Sequence, residues 1–175
     1  MSKIIKVNHA AILKSIIENR RSVFPKNYTG ERIDEQIIED ILSSATFAPQ
    51  HKKTRPWRFK VFRDEEKFQL GQELARIYKA TCAEALFLEK KYADITNKIS
   101  KTDVIITLSV NFSGLVPEWE EIAAVSMAVQ NMYLTASVNE VGCYWSSPAM
   151  IKHLDQFLGL EENQKCYGLF YMGKI

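Results

Sequence analysis

The sequence predicts an α+β fold in which helices cover a sheet. Three observations carry this reading. Apolar residues recur at helical spacing over residues 12–17, 37–45 and 122–138. Phe59 and Val61 alternate with Arg58, Lys60 and Arg63, as in a strand with one polar face. Val104 to Val110 is a short, mostly β-branched apolar run, the pattern of a buried central strand. No repeat, low-complexity tract or flexible linker interrupts the chain, so residues 1–175 read as a single domain.

Asn8 is placed to cap a first helix that carries Ile12, Leu13, Ile16 and Ile17 and stops near Arg21. Residues 23–31, with Pro25, Asn27 and Gly30, read as a loop. Asp34 caps a second helix with Ile37, Ile38, Ile41, Leu42 and Ala45 on one face; it runs to near Phe47, and Pro49 ends it. A strand starts near Trp57. Residues 65–100 hold one or two helices rich in Lys and Glu, anchored by Phe68, Leu74, Ile77, Leu86, Phe87 and Ile99. After the central strand, Pro117 opens a long helix to about Glu140, where a missing N–H costs nothing, and Gly142 ends it. Cys143-Tyr144-Trp145 is a short strand or turn. Pro148 to Leu158 reads as another helix, stopped by Gly159. Lys165 to Met172 is the last strand, its apolar side at Tyr167, Leu169 and Tyr171 or at Cys166, Phe170 and Met172.

Composition removes several function classes. The 175 residues are 46% hydrophobic and 25% charged, ordinary for a soluble domain. A net charge of +2 is too weak to argue for nucleic acid as the main partner. Cys82, Cys143 and Cys166 form no C-x-x-C pair, and His9, His51 and His153 show no ligand spacing, so no metal site is expected. The glycines never form a phosphate-loop or G-x-G-x-x-G pattern, and no G-x-S-x-G is present. No signal-peptide pattern and no membrane-length apolar run is read, so a cytoplasmic location is expected.

Three segments carry candidate chemistry, each with a plainer alternative. Arg20, Arg21 and Ser22 offer guanidinium forks and a hydroxyl for a phosphate and sugar alcohol; equally, arginines complement the dipole at a helix C-terminus. His51, Lys52, Lys53 and Arg55 crowd one connection between Pro49 and Pro56. They suit an anion or electron-rich ring, or else form a solvated basic loop with Trp57 as a core aromatic. Trp145-Ser146-Ser147-Pro148 joins a strand to a helix, where free N–H groups hold an oxygen ligand or Ser147 serves as an N-cap.

Taken in order, these segments resemble the nitroreductase family of flavin mononucleotide enzymes. Arg20-Arg21-Ser22 matches the Arg-Arg-Ser after the family's first helix. Ala48-Pro49-Gln50-His51-Lys52-Lys53-Thr54-Arg55-Pro56-Trp57 is similar to its Ala-Pro-x-x-x-x-x-Gln-Pro-Trp segment. His51-Lys52, Pro117-Glu118-Trp119-Glu120 and Gly142-Cys143-Tyr144-Trp145-Ser146-Ser147 resemble the small single-domain members. The likeness spans roughly residues 10 to 173.

The resemblance implies a three-layer α/β/α sandwich with a central, mainly antiparallel sheet. It also implies an intertwined homodimer with FMN at the subunit interface. Arg20, Arg21 and Ser22 would hold the phosphate and ribityl chain. Phe47 and His51 would reach the flavin from the other subunit, with Pro49 and Lys53 in the same segment, and Trp145, Ser146 and Ser147 would also contact it. NADH or NADPH would be the reductant and a small electron-poor molecule, a nitroaromatic or quinone, the acceptor. One shared cleft implies ping-pong kinetics, with no catalytic side chain because the chemistry sits on flavin N5. The sequence departs from the pattern at Phe24, where many relatives have Lys or Arg, at Arg55 in place of Gln, and at Ser146 where small members often have Arg. Those departures leave a flavin-binding protein with little turnover, a carrier or sensor, as the alternative.

Overall fold

The computed structural model describes residues 8–175. The chain forms α1 (His9–Asn19), α2 (Glu35–Ala45), β1 (Trp57–Arg63), α3 (Asp64–Thr81), α4 (Glu89–Lys101), β2 (Val104–Asn111), α5 (Glu118–Val138), β3 (Val141–Ser146), α6 (Asp155–Leu158) and β4 (Gln164–Lys174). The four strands make one sheet in the order β1-β2-β4-β3, and every neighbouring pair is antiparallel.

Side-chain alternation on the central strands builds two cores. Val104, Ile106, Leu108 and Val110 face one way, against Ile38 and Ile41 of α2 and Val125, Val129 and Met132 of α5. Ile105 faces the other way, into a cluster with Leu70, Leu74 and Ile77 of α3, Ile99 of α4 and Leu154. The result is the expected three-layer sandwich. Both candidate faces of β4 are buried, because the strand is central and each side meets a helical layer. A register shift beside Leu108 leaves Tyr167 unpaired between Cys166 and Gly168. This bulge reverses the alternation, so Cys166 shares a core with Leu169 and Tyr171 while Tyr167 joins the layer of Phe170.

Several local expectations change for identifiable reasons. α2 stops at Ala45 because the Ser44 and Thr46 hydroxyls donate to the carbonyls of Ile41 and Ser43, which otherwise serve the helical ladder. Residues 65–100 divide into α3 and α4 around a 3-10 turn at Glu84–Leu86, and the expected anchors Phe68 and Leu86 are exposed. The helix expected over 148–158 is a 3-10 turn, Ala149–His153, followed by the single turn α6. This winding turns Met150, Leu154 and Leu158 all inward. α5 ends at Val138 through Glu140 in a left-handed conformation, not at Gly142. Gly142 lies inside β3, opposite Gly173. The Tyr28 ring covers this pair so closely that a Cβ on Gly173 would fall 2.4 Å from it.

Asn8 caps α1 as expected, accepting from the Ala11 N–H at 3.1 Å. None of the α1 side chains is buried, although the helix leans on α5. Ile12, Leu13 and Ile17 form an apolar stripe that the described residues leave open.

Candidate functional site

The Arg20-Arg21-Ser22 knot begins where α1 ends. Arg20 leaves helical geometry, and three residues later Val23 N–H donates to Cys143 O at 2.9 Å, so the segment runs along the free edge of β3. The two arginines then part company. Arg21 is exposed, and its Nη1 donates to the carbonyls of Glu18 at 2.6 Å and Arg20 at 2.9 Å, which closes the helix end. Arg20 is half-buried, with its guanidinium 5.1 Å over the Tyr133 ring. No acceptor among the described residues takes any of the guanidinium N–H groups. Burial pushes the neighbouring Cys143 thiol up to about 12, with the charge of Arg20 pulling the other way. The Ser22 hydroxyl is exposed and unpaired among the described residues.

Tyr133 connects this knot to the third segment. Its hydroxyl accepts from the Trp145 backbone N–H at 2.8 Å. No local pattern marks it, since an aromatic within a long apolar helix reads as core. The Trp145 indole N–H donates to Tyr167 O at 3.3 Å, and the bare backbone of Gly168 admits the ring. A Cβ there would stand 2.0 Å from Nε1. Trp145, Ser147, Tyr167, Val110, Ile122 and Val125 line a slot of about 270 Å³ beside the first half of α5. Ser146 is within 3.4 Å of the Tyr144 hydroxyl. Ser147 does not cap a helix: the cap position falls on Pro148, and the element that follows is a five-residue 3-10 turn. The helix start on which both readings of this segment relied is thus a 3-10 turn.

The basic connection is held to the start of α5. His51 Nδ1 lies 2.7 Å from Glu120 Oε2, and since a carboxylate only accepts, Nδ1 is the donor. Lys52 Nζ donates to Leu115 O at 2.9 Å, and Gln50 Oε1 accepts from the Arg55 N–H. Glu121, 1% exposed, closes the adjoining loop by accepting from Ser113 N–H. Lys53 and Arg55 are exposed, and no described residue accepts from their side chains. Lys52, Lys53 and Arg55 all have left-handed backbone, with φ of 50°, 55° and 45°. Phe47 is 80% exposed at the end of α2, and Pro49 is exposed beside it. Phe24, where a cation was expected, leans on the Tyr144 ring at 4.5 Å.

One chain thus unites Arg20 with Trp145 but not with His51. The anchors of the two cationic corners, Tyr133 and Glu120, are thirteen residues apart on α5, about 20 Å along a helix axis. Among the described residues no cluster of three or more His, Cys, Asp or Glu is placed to hold a metal ion. No helix among them is long and apolar enough to cross a membrane.

Comparison with known proteins agrees with this fold. The model of the Nitroreductase family matches residues 17–174. YfhC of Bacillus subtilis (strain 168), which bears the name of an NAD(P)H nitroreductase, is 25% identical over 173 residues, covering 96% of this chain and 87% of that protein. The crystal structure of a nitroreductase-like family protein from Bacillus cereus superposes with a TM-score of 0.77 at 23% identity, covering 93% of this chain and 85% of the other. The FMN-dependent nitroreductase NfnB of Mycobacterium smegmatis, solved with NADPH, superposes with a TM-score of 0.76 at 14% identity, covering 94% and 88%.

Proposed function

The chain belongs to the nitroreductase family, and from that premise we propose that it is an FMN-dependent NAD(P)H oxidoreductase acting as a homodimer on small electron-poor acceptors such as nitroaromatics or quinones. The observation that carries this reading is Arg20: a half-buried guanidinium, held on an aromatic face, with no acceptor for its side-chain N–H groups among the described residues. Burying part of a cation without an acceptor is costly unless a ligand supplies one. A phosphate monoester supplies several oxygens in the geometry a guanidinium fork fits.

The donor set suits FMN. Arg20 with the free Ser22 hydroxyl would hold the phosphate and ribityl chain, and Arg21, engaged with the end of α1, adds charge nearby. The apolar slot beside Trp145 and Ser147, with Ser146 at its side, would receive a flat ring. Bound FMN supplies the redox chemistry, taking hydride from a reduced nicotinamide and passing it to the acceptor. Phe24 offers no cation to the flavin's pyrimidine side and Lys52 is engaged by Leu115, so Lys53 and Arg55 remain to supply one.

The second subunit follows from two features. The apolar stripe of α1 and the ring of Phe47 are left uncovered by the described residues, and surfaces of that kind mark subunit contacts. A two-fold pairing along α5 would bring Phe47, Pro49, His51 and Lys53 of one copy toward the Arg20 corner of the other, closing a distance that one chain leaves open. A single cleft then serves nicotinamide and acceptor in turn, which predicts ping-pong kinetics.

The test is direct. Purified protein, with FMN added if needed, should show a bound flavin spectrum and the mass of two chains by light scattering. NADH or NADPH should bleach that spectrum under anaerobic stopped flow. A protein that stays colourless during FMN titration refutes the reading; bound flavin that neither nucleotide reduces refutes the oxidoreductase activity.

A further inference from the structure

We infer that Tyr133 is the positioning residue of the cofactor site, setting the Arg20 guanidinium with its ring and the 145–147 segment with its hydroxyl. The inference rests on the FMN reading above.

The ring itself is immobilised. Tyr133 is 9% exposed in the second half of α5, and it meets Phe170 edge-on at 4.9 Å and 87°. A side chain so confined holds whatever leans on it. The Arg20 guanidinium leans on it at 5.1 Å and has no hydrogen-bond partner among the described residues. The type of contact matters. A carboxylate partner would take the guanidinium's edge, neutralise its charge and compete with any incoming anion. An aromatic face instead attracts the cation through the ring quadrupole, leaving all five N–H donors in the guanidinium plane for oxygen ligands. Tyr133 can therefore orient Arg20 without satisfying it.

The hydroxyl has a separate task. β3 is an edge strand, and Trp145 pairs in register with Phe170 of β4. The Trp145 N–H turns to Tyr133 Oη, at 2.8 Å, and this fixes the backbone just ahead of Ser146 and Ser147. One residue thus links an arginine from the start of the chain to a strand end more than a hundred residues later.

These two tasks can be separated by experiment. Affinities for FMN and for riboflavin, which lacks the phosphate, are measured by fluorescence titration of the full chain as wild type, Tyr133→Phe and Tyr133→Leu, with urea unfolding of each apo form. The wild type should prefer FMN. Tyr133→Phe keeps the ring, so it should keep that preference while binding both flavins several-fold more weakly. Tyr133→Leu loses the ring, so the preference itself should shrink by about fivefold. Tyr133→Met, which also lacks a ring but whose longer, unbranched side chain adapts better to the space, replaces the leucine variant if that fails to fold. A merely structural role would weaken both flavins in step with stability and leave their ratio unchanged in every variant, which overturns the inference. A wild type that binds FMN no better than riboflavin overturns the aiming of Arg20 while leaving flavin binding intact. A wild type that binds neither overturns the FMN reading, and this inference with it.

Discussion

His51 Nδ1 and Glu120 Oε2 stand 2.7 Å apart, and with the Lys52–Leu115 bond this contact ties the basic connection to the N-terminal end of α5. The pair is partly exposed, so by itself it contributes at most ~1 kcal/mol to stability. Its larger effect is on where the loop points. Glu120→Ala should weaken FMN binding by about three- to tenfold, the loss of roughly one hydrogen bond's positioning. Apo stability should change by less than ~1 kcal/mol. Flavin titration beside urea unfolding reads both.

Arg20 and Arg21 are adjacent, yet they should respond differently to substitution. Arg20→Ala removes a charge-assisted contact worth ~1.5–3 kcal/mol, or about ten- to a hundredfold in FMN affinity. Arg21→Ala removes a helix-end contact and should cost ~0.3–1 kcal/mol of stability with a smaller effect on FMN. Isothermal titration of the two variants should separate them; equal losses of affinity would show that both guanidinium groups reach the phosphate.

Gly168 makes room for Trp145. In Gly168→Ala the new Cβ would meet the indole Nε1 at 2.0 Å, and Ser146 O at 3.0 Å. The ring must leave its place or the strands must separate, at a cost of ~1–3 kcal/mol. Intrinsic tryptophan emission should shift to longer wavelength, and FMN should bind more weakly because the slot at Trp145 changes shape.

Stability should fall in alkaline solution. Burial pushes the Cys143 thiol from 9.0 up to about 12. Burial also raises the Tyr28 and Tyr171 hydroxyls well above the ordinary tyrosine value. Each of these groups holds its proton more tightly when folded than when unfolded. Their contribution is therefore complete below the unfolded values, near 9 for the thiol, and declines as pH rises toward the folded ones. The urea midpoint should drop steadily between about pH 9 and 11, and Cys143→Ala should flatten the first part of that decline.

The parts of this molecule written in local pattern were legible in the sequence. β2 declared itself by its apolar run, α5 by Pro117 and its length, and Asn8 as a cap. The helix expected over 148–158 was not legible, because winding there is decided by Met150, Leu154 and Leu158 all reaching one core. Tyr133 was invisible for a related reason: its importance lies in Arg20 and Trp145, which are remote in sequence. Arg20 and Arg21 looked equivalent until the end of α1 gave Arg21 its carbonyl partners. The apolar stripe of α1 was legible too, although helical periodicity alone does not say that the described residues leave it open.

Three residues of the basic connection, Lys52, Lys53 and Arg55, adopt backbone that glycine would occupy more comfortably. Each retains ~1 kcal/mol or more of steric tension. A designer seeking heat tolerance would place glycine there; this polypeptide keeps long cationic side chains instead. That connection is a spot where aiming charge outranks relaxed geometry, so heat-resistant variants selected there should emerge with impaired cofactor retention.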